Sequence, residues 1–108
     1  MSMYVPPYDR RERHLPGYNF CGPGTNVGRR LRNKVKPVNR LDAACLQHDL
    51  VTEPRGPYYG RNNPRRMRAA DRRLLAAAKR HYLVDPKVAS IIIAAMTALL
   101  KTGARGRS

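Results

Sequence analysis

Apolar residues recur at helical spacing in three segments of the chain, and the first of these segments opens with a capping signal. Asn39 can cap a helix, and Asp42 follows three residues later in the manner of a capping box. The predicted helix continues to about Thr52, before the residue pair 53–54, which contains a proline, ends it. One face carries Leu41, Ala44, Cys45, His48 and Val51.

Two further helices are predicted at residues 63–83 and 85–101, each with a cap residue and a proline at its first helical position. Gly103 is the stop signal of the last one. The stripe of the earlier helix consists of Met67, Leu74, Leu75, Ala78 and Tyr82 and is interrupted by Asp71. The last helix is apolar nearly all round, which favours a third core helix with one exposed flank over a surface for a partner or membrane.

Residues 1–36 show no sustained periodicity and are rich in Pro and Gly, so they are predicted to form an extended arm leading into loops. The link at 54–62 could hold a short hairpin and favours antiparallel packing of the two helices around it. The expected fold class is therefore all-α. The predicted domains are a basic arm at 1–14, a folded domain at 15–102 and a basic tail at 103–108.

The charge of the chain points to a polyanionic contact. Lys and Arg number 22 against seven Asp and Glu, a net charge of +15, which indicates contact with nucleic acid, anionic lipid or the interior of a virus-like particle. The length of 108 residues predicts one domain. Only residues 41–60 are acidic on balance, with Asp42, Asp49 and Glu53 against Arg55. A bound cation is one explanation of that local reversal.

The apolar pattern predicts neither a membrane-spanning helix nor a secretory signal. The longest apolar stretch covers about 13 residues, Val88 to Leu100, where a membrane span needs about 20. The first twenty residues lack an apolar run, so no secretory signal is predicted.

A buried aspartate in the stripe of the second helix needs a partner, and His48 is available if the first two helices pack antiparallel. The pair His48 and Asp71 would make a general base, because the carboxylate fixes the tautomer and stabilises the imidazolium. Asp49 lies about 100° around the helix from His48 and is free for another role. Glycine-rich backbone before the helix can aim carbonyl oxygens at one point, and carbonyls with a carboxylate are ligands that calcium prefers.

Three motifs occur in order: YNFCGPGT, LDAACLQHDL and AADRRLL. In this combination, over roughly residues 15–83, the chain resembles the reduced phospholipase A2 fold of the minor capsid proteins of parvoviruses and densoviruses and of related invertebrate and virus-encoded proteins. The resemblance implies calcium-dependent hydrolysis of the sn-2 ester of glycerophospholipids. It also implies a virion component that opens the endosomal membrane.

The resemblance assigns a role to each motif residue. His48 activates water, Asp71 orients the histidine, and the two residues lie on two antiparallel catalytic helices. Calcium is held by Asp49 and by backbone carbonyls of the loop, namely Phe20, Gly22 and Gly24. Cys21 and Cys45 correspond to a bridged pair, so their Cβ atoms are predicted to lie near disulfide range.

The chain departs from the family at Thr52, where a tyrosine usually bonds the orienting aspartate. Tyr58, Tyr59 or Thr52 through water would take that role. The arginines of the second helix are most simply a solvated face. If they have a function, anionic lipid headgroups and nucleic acid fit them equally well. Two other classes stay open: a catalytically weak basic virion protein that contacts genome or capsid, and a cationic module that disrupts membranes without hydrolysis.

Overall fold

The computed structural model describes residues 15, 17–22, 27–53, 59 and 63–105, and all regular structure in this part of the chain is helical. Four helices follow one another: α1 Val27–Arg32, α2 Arg40–Thr52, α3 Pro64–His81 and α4 Pro86–Thr102. The all-α prediction is confirmed. The residues outside these ranges include Gly24 and Tyr58, the arm at 1–14 and most of the link at 54–62.

The predicted start signals are the ones that the structure uses. Each cap side chain accepts a hydrogen bond from the backbone amide three residues later, which satisfies one orphan donor of the first turn. The cap and donor pairs are Asn39 with Asp42 at 2.9 Å, Asn63 with Arg66 at 3.0 Å and Asp85 with Val88 at 3.2 Å. Gly103 follows α4 in the left-handed conformation, with φ of 70°.

One expectation about the helices is wrong. Residues 27–32 form the short helix α1 inside the stretch that was expected to be arm and loops. The second predicted helix ends at His81, two residues before the predicted end near Leu83, because the amides of Val84 and Asp85 both bond to the His81 carbonyl. Leu83 is left 93% exposed in the turn before α4.

α3 is the central helix of the fold, since it packs on both α2 and α4. The start of α2 shares a groove with the end of α3, where Leu41 lies near His81. At the opposite end of α3, Arg68 donates to the carbonyl of Leu100 near the end of α4 at 3.3 Å. Both neighbouring pairs therefore run antiparallel, as predicted for the first pair.

The core joins one side of α3 to α2, α4 and the loop before them. Its buried apolar members are Tyr18, Phe20, Cys21, Leu41, Cys45, Leu74, Ala78, Val88, Ala89, Ile92 and Met96. Among the described helices, none has the length together with the apolarity that crossing a bilayer requires.

Candidate active site

The loop that precedes α1 is fastened to α2 by a fully buried carboxylate. Asp42 accepts hydrogen bonds from the backbone amides of Asn19, Phe20 and Cys21, the shortest of them 2.7 Å from Phe20. It also accepts the amide of Val38 at 3.0 Å. The capping-box expectation is thus half right, because the Asp42 amide bonds to the cap but its carboxylate serves the loop.

Three other contacts hold the same loop in place. Cys21 and Cys45 are joined by a disulfide, with their Cα atoms 5.1 Å apart. The buried Arg30 of α1 donates to the carbonyl of Asn19. Tyr18 donates its hydroxyl hydrogen to the cap residue of α4 over 2.8 Å. These bonds fix residues 18–21 beside the middle of α2.

His48 and Asp71 are in direct contact across the interface of α2 and α3. His48 Nε2 lies 2.7 Å from Asp71 Oδ1, and the Asp71 side chain is 0% exposed. Burial lowers the pKa of His48, but hydrogen bonds with Asp49 and Asp71 outweigh it and leave that pKa above its usual value. Because an ionised carboxylate only accepts, Nε2 carries the hydrogen and Nδ1 of neutral His48 carries the lone pair.

Arg105 also binds the Asp71 carboxylate, and the sequence did not indicate this contact. Arg105 Nε donates to Oδ2 over 3.2 Å and Nη2 to Oδ1 over 3.4 Å. Burial would raise the pKa of Asp71, yet its bonds from His48 and Arg105 hold that pKa below the ordinary value. Arg105 was assigned to a basic tail, and no sequence signal connected that tail with Asp71.

Thr52 stands where the family usually has a tyrosine, and its direct contacts are with His48. Its hydroxyl lies 3.1 Å from the carbonyl of His48 and 3.3 Å from His48 Nδ1, so it contacts the histidine instead of Asp71. When the hydroxyl donates to the carbonyl, the Nδ1 lone pair stays available to accept a proton. Tyr59 lines the cavity beside them, and Tyr58 lies outside the described residues.

Asp49 is held next to the histidine and keeps one oxygen without a donor. Its Oδ1 lies 3.5 Å from His48 Nδ1. Its Oδ2 is buried and, within the part of the chain that the structure describes, has no hydrogen-bond partner. Burial raises the pKa of Asp49 to about 6, against the opposing effect of His48. A buried carboxylate with one unpaired oxygen is costly unless a donor or a cation reaches it.

Two of the three predicted backbone ligands belong to the same neighbourhood. Phe20 and Gly22 line the cavity that also contains His48 and Asp49. Gly22 has a φ of 150°, a conformation that side-chain-bearing residues rarely adopt. Gly24 lies outside the described residues. Among described residues, no three or more His, Cys, Asp or Glu side chains gather as a metal site.

The histidine opens into an apolar cavity of about 760 Å³, within the range of small-molecule sites. Its polar lining includes His48, Asp49, Thr52, Glu53 and Arg105, and its apolar lining comes mostly from α4. The wall residues are Ile91, Ile92, Ala95, Met96, Ala98 and Leu99, joined by Leu15 and Phe20 from the loop. The nearly all-round apolarity of α4 therefore has two uses, since one side packs in the core and the next lines the cavity.

The chain was compared with known protein families and proteins. A family model described as a phospholipase A2-like domain matches residues 11–95. No curated protein and no solved structure matches the chain. The matched range contains the glycine loop, the whole of α2 and α3, and His48 with Asp71.

Proposed function

Because the chain belongs to the phospholipase A2-like domain family, we propose that it is a phospholipase A2 that hydrolyses the sn-2 ester of glycerophospholipids. The observation that carries the proposal is the 2.7 Å contact of His48 with Asp71 at the floor of an apolar cavity. A buried imidazole with a fixed hydrogen on Nε2 is a general base at Nδ1. The wall formed by α4 is suited to an acyl chain.

The reaction follows from the orientation of the histidine. Water at His48 Nδ1 loses a proton to that nitrogen while its oxygen attacks the ester carbonyl carbon. Asp71 stabilises the imidazolium that forms and keeps the ring in place. The tetrahedral intermediate then expels the lysophospholipid oxygen, which takes the proton from His48. The products are a fatty acid and a lysophospholipid, with no covalent enzyme intermediate.

The proposed cofactor is Ca²⁺, and the residues present fit it. Asp49 offers a buried carboxylate oxygen that has no donor among the described residues, and the loop beside it supplies backbone oxygens, the hard ligands that Ca²⁺ takes. Asp49 with the carbonyls of Phe20 and Gly22, and of Gly24, would hold the ion. When bound there it would supply positive charge for the oxyanion of the ester.

The direct test is release of fatty acid from mixed vesicles of phosphatidylcholine and phosphatidylglycerol, labelled separately at sn-1 and sn-2. The protein should release the sn-2 label in calcium and not in EGTA. His48→Ala should lower the rate by about 100- to 10,000-fold, the usual contribution of a general base. His81→Ala is the matched control, because His81 lies on α3 outside the apolar cavity.

Two outcomes would contradict the proposal. Leakage of vesicles that needs no calcium and survives His48→Ala, without release of fatty acid, would identify a membrane-disrupting module. Absence of lipolysis in a folded protein that still binds polyanions would favour the basic virion protein that contacts genome or capsid.

We further propose that this hydrolysis serves membrane penetration by a virus or virus-like particle. The support is the resemblance of the three ordered motifs to parvovirus and densovirus capsid domains. Lysophospholipid and fatty acid destabilise a bilayer, and a net charge of +15 favours an anionic surface. The chain would then act from a virion or at an endosomal membrane. Dye release from vesicles at endosomal lipid composition should require both calcium and His48.

A further inference from the structure

The exposed side of α3 carries three pairs of basic residues at seven-residue intervals. The pairs are Arg65 with Arg66, Arg72 with Arg73, and Lys79 with Arg80. Seven residues correspond to almost two helical turns and to a rise of about 10.5 Å, so the three pairs span about 21 Å of the helix. All six side chains are exposed, and we call them the basic face.

The pairs form two rows, because neighbouring residues of a helix are turned about 100° from each other. The first row consists of residues 65, 72 and 79, and the second of residues 66, 73 and 80. Ala69 and Ala76 lie between the rows and add only methyl groups. A helix with side chains is about 10–12 Å wide, so two rows turned by 100° lie roughly 8–9 Å apart at its surface. The long basic side chains extend outward from there, toward the roughly 12 Å width of a B-DNA major groove.

The basic face contains no acidic residue. The only acidic residue of α3 is Asp71, which is buried on the other side of the helix and paired with His48 and Arg105. Within the described part of the chain, none of the six basic side chains forms a salt bridge. Their charge is available to a partner.

The basic face and the catalytic cavity lie on opposite sides of α3. The buried residues of the helix are Met67, Ala70, Asp71, Leu74 and Ala78, and their mean direction is roughly half a turn from the alanines between the basic rows. Leu74, from the buried side, is the one residue of α3 that lines the cavity. A bilayer that delivers lipid to the cavity would leave the basic face directed away from it.

We propose that the basic face binds duplex nucleic acid through its phosphates, independently of base sequence. Two parallel rows of long, flexible cations can diverge across a groove and contact the two phosphate strands that border it. The methyl groups of Ala69 and Ala76 can neither donate nor accept, so the centre of the face has no means of reading base edges by hydrogen bonds. This role is additional to lipid hydrolysis and does not depend on it.

The test compares two triple variants of equal charge in the full chain. Arg66→Gln/Arg73→Gln/Arg80→Gln removes one row of the basic face, and Arg32→Gln/Lys36→Gln/Lys87→Gln removes three exposed charges from other elements. Binding to two 24-base-pair duplexes of unrelated sequence is followed by fluorescence anisotropy between 50 and 200 mM KCl. Helicity by circular dichroism checks that both variants fold.

The row variant should weaken duplex binding at least tenfold at 150 mM KCl, and the control variant clearly less. The slope of log K against log salt should fall in magnitude by about 3 for the row variant, as expected for three lost phosphate contacts. Both duplexes should bind equally. Sedimentation with phosphatidylglycerol vesicles should be the same for the two variants.

Three results would overturn the proposal. Equal losses of duplex affinity in both variants would show that only total charge matters. Lost vesicle binding with retained duplex affinity in the row variant would make the basic face a membrane contact. Competition between saturating duplex and vesicles for the unmodified protein would contradict the opposite placement of the two surfaces.

Discussion

Arg105 and His48 both bind the carboxylate of Asp71 and share its Oδ1 atom. Arg105 donates to both Asp71 oxygens, and His48 Nε2 lies 2.7 Å from one of them. The Arg105 side chain is 22% exposed, whereas Asp71 is fully buried. In the family that the motifs resemble, a tyrosine usually bonds the corresponding aspartate, whereas here an arginine beyond the last helix bonds Asp71.

Arg105→Gln should lower kcat about tenfold while leaving KM within about twofold, because the Asp71 carboxylate loses a support but the apolar part of the cavity lining is unchanged. Arg105→Lys should recover part of kcat, since an ammonium can replace one of the two bonds. Lys101→Gln, an exposed charge at the end of α4, is the control. Steady-state hydrolysis of short-chain phosphatidylcholine gives both constants. An unchanged kcat with a lower Tm would assign Arg105 a purely structural role.

Asp71 should contribute stability that disappears in acid. Its pKa is held low in the folded protein, so the contribution is present above the unfolded pKa of about 3.9 and is lost as pH falls through the folded value. Asp71→Asn should therefore be less stable at pH 7 by on the order of 1–3 kcal/mol, and the difference should shrink below about pH 4. Urea unfolding at pH 7, 5, 3.5 and 2.5 measures it. A difference that does not change with pH would contradict the assignment.

Asp42→Asn should destabilise the protein by about 2–4 kcal/mol, because an acceptor-only group that receives four amide hydrogens is replaced by one that presents donors of its own. Gln47→Ala, an exposed change on the same helix, should cost less than about 0.5 kcal/mol. Denaturant unfolding compares the two. Equal effects would mean that Asp42 does not fasten the loop.

The double variant Cys21→Ser/Cys45→Ser should lose about 3 kcal/mol of unfolding free energy, as expected for opening a loop closed across 24 residues. Its lipolysis at 25 °C should stay within about tenfold of the unmodified protein, far above the His48→Ala level. Thermal unfolding and fatty-acid release test the two halves. Loss of lipolysis in a protein that is still helical would show that the bridge alone positions the loop.

The sequence predicted the long helices well because their signals are local. The caps at Asn39, Asn63 and Asp85 lie within three residues of the amides that they bind. The meeting of His48 with Asp71 was predictable for a related reason, since an aspartate in an apolar stripe needs a buried partner.

The features that the sequence did not reveal depend on contacts between distant residues. α1 has six residues, includes Gly28 and is organised around the buried Arg30, whose carbonyl partner is Asn19. Arg105 follows a helix stop signal in a segment of high charge, where an arginine is normally solvated. Its pairing with Asp71 spans 34 residues and becomes visible only when α4 is packed.

The attachment of residues 19–21 to α2 also determines how the protein responds to oxidising and reducing media. One attachment is the disulfide to Cys45, and the other consists of hydrogen bonds that backbone amides donate to the carboxylate of Asp42, three residues earlier. A reductant cleaves the first and leaves the second intact. We therefore expect the loop beside His48 to stay in place whether the surrounding medium is oxidising or reducing, and reduction of the bridge to lower the stability of the protein before it changes the geometry of the loop.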